Sequence, residues 1–548
     1  MARTSIAVVA MTAVLSAAAG AQTPSPSQPP ATHDHGAPGG KLGSAHFATS
    51  CARGVQPEFD RGVALLHSFW FSAAVDSFNT VLKADPTCLM AHWGIAMSWW
   101  SNPFGGFRTP QALAAGLATA DTARAIAGGS ERERAYLAAV DLLFRDVPTR
   151  DQRTRTVAYE KAMEALVTRY PDDVEARIFY ALALGQTALP TDKSYANQLK
   201  AASILEEEFT RQPEHPGLAH YIIHSFDVPP LASRGLNAAR RYATIAPDAP
   251  HALHMPSHTF TRLGLWQDSI ETNLASAAAA RRDRGAASEE LHALDYQMYA
   301  YLQTAQDAAA KRTLPLVTPL GEQIPNAGVG NAAPPSAGYY AVAAIPARYA
   351  LERAAWDEAA ALAPPATPFG FADAVTHFAR ALGAARLGRV DAARQDVDRL
   401  AALRDGLKKA NDGYWTEQVE IQRIGAAAWV ALAAGQQTEA LALMREAADR
   451  EDATEKAALT PGPIKPAREL LGELLLQVNQ PAEALAAFEA TLTKEPNRFR
   501  AVYGAARAAK AAGNRASASA YYATLLRISS KADQPGRNEL TEARTAVR

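Results

Sequence analysis

Cysteine is nearly absent: a chain of 548 residues carries two, Cys51 and Cys88. That excludes a disulfide-built scaffold and a CxxC-type metal cage, and leaves one pairing to consider. Neither sign of charge is in surplus, with 55 basic against 56 acidic residues and a net charge of −1. A nucleic-acid binder would show a basic excess, and no acidic tail is present either. Long apolar runs are missing too. The one apolar run, Ile6 to Ala19, is shorter than the roughly 20 residues a membrane span requires. Also absent are a GxSxG elbow, a Walker loop, an HExxH pair and a dinucleotide fingerprint. Neither cysteine sits in a nucleophile context.

What is present is alanine-rich and 48% hydrophobic, a composition that suits closely packed helices. The first 21 residues read as a secretory signal: Arg3 opens it, the apolar run follows, and Ala19-Gly20-Ala21 offers a cleavage site before Gln22. The protein is therefore expected in the periplasm or outside the cell. No cysteine follows the cleavage site to take a lipid, and no later stretch spans a membrane. In an oxidising compartment an even cysteine count invites a Cys51–Cys88 disulfide, tying a strap ahead of the first helical pair to the end of that pair. Two buried thiols are the alternative. Residues 22–45, rich in Pro, Ser and Gly and carrying His33-Asp34-His35, read as a flexible leader.

From Phe59 onward the chain repeats. Phe71 to Val75, Phe78 and Asp85-Pro86 form a helix with a small residue for close approach, an aromatic below it and a proline stop. Trp93-Gly94-Ile95-Ala96 opens the next unit. Endings recur at Tyr170-Pro171, Gln212-Pro213, Ala246-Pro247 and Glu495-Pro496, and Pro213 and Pro247 stand 34 residues apart. The same step links Ala359 to Ala393, Ala484 to Ala518 and Phe488 to Tyr522. These motifs resemble the tetratricopeptide-repeat (TPR) family over most of residues 59–528. The resemblance implies an all-α solenoid of antiparallel helix pairs, and such repeats mostly bind peptides or proteins. Leu65-Leu66-His67-Ser68-Phe69-Trp70, His220-Tyr221-Ile222-Ile223-His224 and His254-Met255-Pro256-Ser257-His258 are similar to phrases of exported bacterial proteins of this type. The expected organisation is an N-terminal array over 46–312, a Pro/Gly-rich loop or lid over 313–338, a C-terminal array over 339–529 and a fraying polar tail over 530–548.

The histidines carry the functional question. Thirteen is an ordinary number, but His224, His258 and His292 follow one another at 34 residues, and His220 and His254 repeat that step. Counted from Pro213 and Pro247, His220 and His254 fall at position five of their units, and His224 and His258 at nine. His251 falls at two, and Asp227 and Asp295 at twelve. In the family these positions face the concave groove. Residues four apart lie one above the other on a helix, about 5–6 Å between Cβ atoms, so each HxxxH pair can offer two imidazoles to one metal. The expected site is His220, His224, His254, His258 and His292, with Asp227 and Asp295 as ligands or as carboxylates orienting a ring. His251, His67 and His92 are lesser candidates, and His377 is expected to be structural. Imidazole suits zinc, copper, nickel or iron, and the spacing does not choose among them. With an open coordination position the site becomes that of a hydrolase or oxidoreductase. The competing expectation is a groove that binds a peptide or protein partner without metal, with Arg262 and Arg348 as donors to carboxylates. Trp99-Trp100-Ser101-Asn102-Pro103-Phe104-Gly105-Gly106-Phe107 is read first as inter-repeat packing, with an apolar wall over the groove as the alternative. Tyr296, Tyr299 and Tyr301 stand near His292 as hydrogen-bond donors or redox partners.

Overall fold

The computed structural model describes Met1 and residues 40–283, 286–325 and 328–547. The signal segment, His33 and His35 lie outside the described residues. Among those described, all regular structure is helical, and no helix is long and apolar enough to cross a membrane. Each helix packs chiefly on its neighbours in the chain, the pattern of a TPR-like solenoid.

The repeat motifs explain the pairing. Phe78 projects from the Phe71–Ala84 helix into a gap that only glycines leave open: a Cβ on Gly62 or Gly94 would stand 2.7 or 2.4 Å from its ring. Phe488 fills the equivalent gap between Gly472 and Gly504, at 2.8 and 2.3 Å. The second helices of five units stop in one way. Asp85, Tyr170, Gln212, Ala246 and Glu495 each cap their helix with φ between −136° and −123° and ψ between 62° and 89°. The next residue is proline every time, and proline disfavours helical geometry in the residue before it.

Three expectations need correction. Residues 313–338 do not simply loop: Leu314–Gly321 is helical and Pro335 opens the Pro335–Glu352 helix. Prolines near a helix start cost no hydrogen bond, because the first N–H groups have no intrahelical partner. The Pro335–Glu352 helix packs directly on Ala287–Gln303, so the stack runs on across this segment. The end of the chain does not fray either. Asn538–Val547 is a helix, held by Tyr503 and Tyr522 donating to Glu542, both at 2.6 Å. The far end of the expected leader is ordered: Leu42 and Ala45 are buried, and the Ser44 N–H donates to the Glu214 carbonyl at 2.9 Å.

The strap that follows is fastened at several points. Phe47 is buried against Trp93, Tyr136 and Phe59, and Ser50 donates twice to Glu133. Cys51 and Cys88 are bonded, with Cα atoms 4.9 Å apart; Cys88 caps the start of Leu89–Trp100 rather than ending the helix before it. Closing a separation of 37 residues should stabilise the fold by about 2–4 kcal/mol. Cys51→Ser with Cys88→Ser is expected to lower the unfolding free energy by that amount in chemical denaturation. An unchanged denaturation midpoint would show that strap packing alone holds this end.

The C-terminal repeats return to the N-terminal ones. Trp266 Nε1 donates to the Asn497 carbonyl at 2.9 Å. Gly264, at φ 64°, lies so close to Pro496 that a Cβ there would stand 2.2 Å from its carbonyl oxygen.

Candidate metal centre

Two short helical stretches present the histidine pairs. Pro216–Ser225 carries His220 and His224. Pro250–His254 and Pro256–Arg262 run nearly end to end, and Pro256, without an N–H, marks the break. His254 and His258 flank that break and still lie one turn apart. Ala287–Gln303 supplies His292.

The hydrogen bonds set the tautomers. His220 Nδ1 lies 2.7 Å from the His67 carbonyl oxygen. A carbonyl only accepts, so Nδ1 carries the proton and the neutral ring leaves Nε2 bare. His254 Nδ1 lies 2.7 Å from Asn273 Oδ1; the Asn273 amide nitrogen is spent on the Ser269 carbonyl, so oxygen faces the ring. His258 Nδ1 lies 2.9 Å from Asp227 Oδ2. Both rings of this pair are therefore bare at Nε2, yet those nitrogens stand 3.1 Å apart. The corresponding His220–His224 separation is 3.2 Å. Two nitrogens on one ion, with bonds of about 2.0–2.1 Å, would stand roughly 2.9 Å apart at a right angle and roughly 3.3 Å apart in a tetrahedron. Both pairs fall inside that window.

A third imidazole joins each pair. Ligand-type atoms of His220, His224 and His251 lie within 4.8 Å of one another, as do those of His254, His258 and His292. His251 is buried with neither ring nitrogen hydrogen-bonded, and His292 Nδ1 also lacks a partner. The two triads adjoin: ring centres are 6.0 Å apart for His224 and His258, and 5.8 Å for His251 and His254. Burial drives the imidazoles towards the neutral form, and neighbouring rings add to the effect. His220 and His292 are pushed down to about 3. His224, His251 and His254 are held well below the ordinary value by burial first and by their neighbours second. His258 is lowered by burial, against the pull of Asp227.

Of the two aspartates, Asp227 takes one of its two expected roles and Asp295 takes neither. Asp227 is an orienter: besides His258 it accepts from Arg262 Nε at 2.9 Å and from Lys456 Nζ at 3.0 Å. Asp295 is not among the converging atoms. It is paired with Arg348 at 2.8 Å, and Arg348 also donates to Thr460 and to the carbonyls of Gly462 and Pro463. His67 does not converge on the triads. It lies 2.9 Å from Glu175, which also meets His215 at 3.1 Å, and its backbone carbonyl fixes the His220 tautomer. His92 is half-buried and belongs to no converging group among the described residues. His377 pairs with Asp396 at 2.7 Å.

The cover over the site is residues 453–466, a segment the sequence reading did not single out. From this segment Lys456 reaches Asp227, Glu455 accepts from Lys193 and Tyr195, and the Thr460 carbonyl accepts from Tyr296 at 3.2 Å. Its only forewarning is Thr460-Pro461-Gly462-Pro463, which interrupts the helical pattern. The Gly-rich 101–107 loop does form a wall, with Phe104 stacked on His224 at 4.2 Å between ring centres. Of the three tyrosines, Tyr296 reaches the cluster, its hydroxyl 3.3 Å from His258 Nε2. Tyr299 instead donates to Glu495.

No protein-family model matches the chain, and no curated protein matches it. Solved helical-repeat structures align over long stretches at low identity. Human IFIT1 dimer with m7Gppp-AAAA aligns at 10% identity and TM-score 0.34, covering 80% of this chain and 90% of that one. Naa15/Naa10 bound to HypK-THB aligns at 12% and 0.22, covering 89% and 73%. The P58(IPK) TPR domain aligns at 14% and 0.20, covering 68% and 98%.

Proposed function

We propose that this chain is an exported TPR-like solenoid that binds a transition metal through its buried histidine cluster. One observation carries the reading. In each HxxxH pair the Nε2 atoms face one another at 3.1 or 3.2 Å, and in the His254–His258 pair both Nδ1 protons are committed elsewhere. In the His254–His258 pair, two lone pairs so placed repel unless an added proton or a cation lies between them, and burial opposes the added charge of the proton. A carboxylate behind a ligating imidazole, as Asp227 stands behind His258, is the usual support for a metal-bound ring. Three imidazoles leave an ion at least one position for an exchangeable ligand, the condition for a hydrolase or an oxidoreductase. The Cys51–Cys88 bond fits the oxidising compartment to which the N-terminal segment would send the chain.

The partner-scaffold reading has less support. The donors it needs are already used internally, Arg262 by Asp227 and Arg348 by Asp295, and residues 453–466 occupy the histidine face. Untagged protein purified from its native compartment is expected to carry stoichiometric transition metal by elemental analysis. His220→Ala with His254→Ala should remove it. Metal content unchanged in that variant, or no binding after loading with zinc, copper and iron, would overturn the proposal.

A further inference from the structure

The six imidazoles do not form one converging group among the described residues. They divide without sharing into two triads, each closing on itself within 4.8 Å, and the triads adjoin through His224–His258 and His251–His254. His251 in one triad has both ring nitrogens unpartnered, and His292 in the other has Nδ1 unpartnered. Buried polar atoms are otherwise satisfied as a rule, so each triad separately lacks something that binds nitrogen.

Charge decides what that is. All six donors are neutral, and no carboxylate converges with either triad among the described residues. The nearest carboxylate, Asp227, is already paired with both Arg262 and Lys456. Two divalent ions would place four positive charges in this enclosure with no anionic ligand. The desolvation cost of an ion grows with the square of its charge, so two monovalent ions cost about a quarter as much. Monovalent copper carries the single charge this argument favours, and imidazole is among the ligands that suit copper.

Resting on the metal-binding reading above, we infer that the cluster holds a pair of copper(I) ions. One is bound by His220, His224 and His251, the other by His254, His258 and His292.

The test uses the full mature chain, stripped of metal and titrated anaerobically with copper(I) against a chromophoric chelator. Two equivalents per chain are expected, and X-ray absorption should show nitrogen-only ligation. His251→Gln and His292→Gln are each expected to retain one equivalent. Both rings are buried, so circular dichroism checks that the helices persist in each variant. One equivalent in the parent chain, or two retained in either variant, would overturn the pair while leaving metal binding intact. Zinc bound in preference to copper(I) would overturn the identity of the ions. Failure to bind any metal would overturn the metal-binding reading itself, and the pair with it.

Discussion

Acidification from pH 7 to pH 5 is expected to destabilise the metal-free protein by about 4 kcal/mol through His220 and His292 alone. Both rings are fully enclosed and pushed down to about 3 by burial, against about 6.5 in the unfolded chain. The sign follows from proton uptake. Below pH 6.5 the unfolded chain takes up protons that the folded one refuses, so stability is complete above that value and falls as pH drops towards 3. At 1.36 kcal/mol per pH unit, each ring loses about 2 kcal/mol by pH 5. His224, His251 and His254 shift in the same direction and steepen the fall. The surroundings offer little relief: Lys456 and Arg262 face the cluster as cations, and Asp227, the carboxylate bonded to His258, is already paired with both. Against a typical total of 5–15 kcal/mol, this should bring unfolding into the range of mild denaturant. Urea denaturation across pH 5–8 measures it, and bound metal should flatten the profile by mass action. A metal-free profile already flat would mean that the rings share protons across their 3.1 and 3.2 Å contacts in the folded state.

The histidine pairs were legible in the sequence because spacing on a helix is local geometry. Four residues apart means one face, whatever surrounds it. The 34-residue step carried that face from one unit to the next, but the five histidines expected at one site fall into two groups, His220 and His224 with His251, and His254 and His258 with His292. The aspartates show where such reasoning ends. Asp227 and Asp295 stand at the same offset from His224 and His292, yet the first helix ends at Ser225 and the other continues to Gln303. Beyond a helix end the chain can turn back, and Asp227 reaches His258. Inside a helix, three residues keep the side chain near the same face, but Arg348 from the Pro335–Glu352 helix claims the Asp295 carboxylate. His251 was undervalued because its partners lie on a neighbouring helix. The cover was misplaced for a related reason. Proline content pointed to 313–338, while residues 453–466 reach the site only because the C-terminal repeats fold back on the N-terminal ones. That return is fixed by contacts such as Gly264 against Pro496, between residues more than 200 positions apart, which no local pattern announces.

Asp227 is the single residue on which ligand orientation, cover and buried charge all depend, and its removal is expected to have the second large effect. Asp227→Ala would leave Arg262 and Lys456, with 4% of each side chain exposed, as two cations beside the histidines. Removing one partner of a buried ion pair costs about 3–5 kcal/mol, because the other charge stays desolvated. Lys456 can escape by withdrawing with its loop. Arg262 cannot do so readily, since it lies within the Pro256–Arg262 helix that also carries His258. The expected result is therefore an uncovered site: faster proteolysis within 453–466, together with a roughly 10–100-fold loss of metal affinity as His258 loses its orienting carboxylate. Asp227→Asn separates the two effects. The amide can still offer an oxygen to His258 Nδ1, but it no longer neutralises the cations. It should therefore destabilise the cover nearly as much as alanine does while retaining more of the metal affinity. Equal affinity losses in both variants would place the whole effect in the cover, and Asp227 would then act on the metal only by holding Lys456 down.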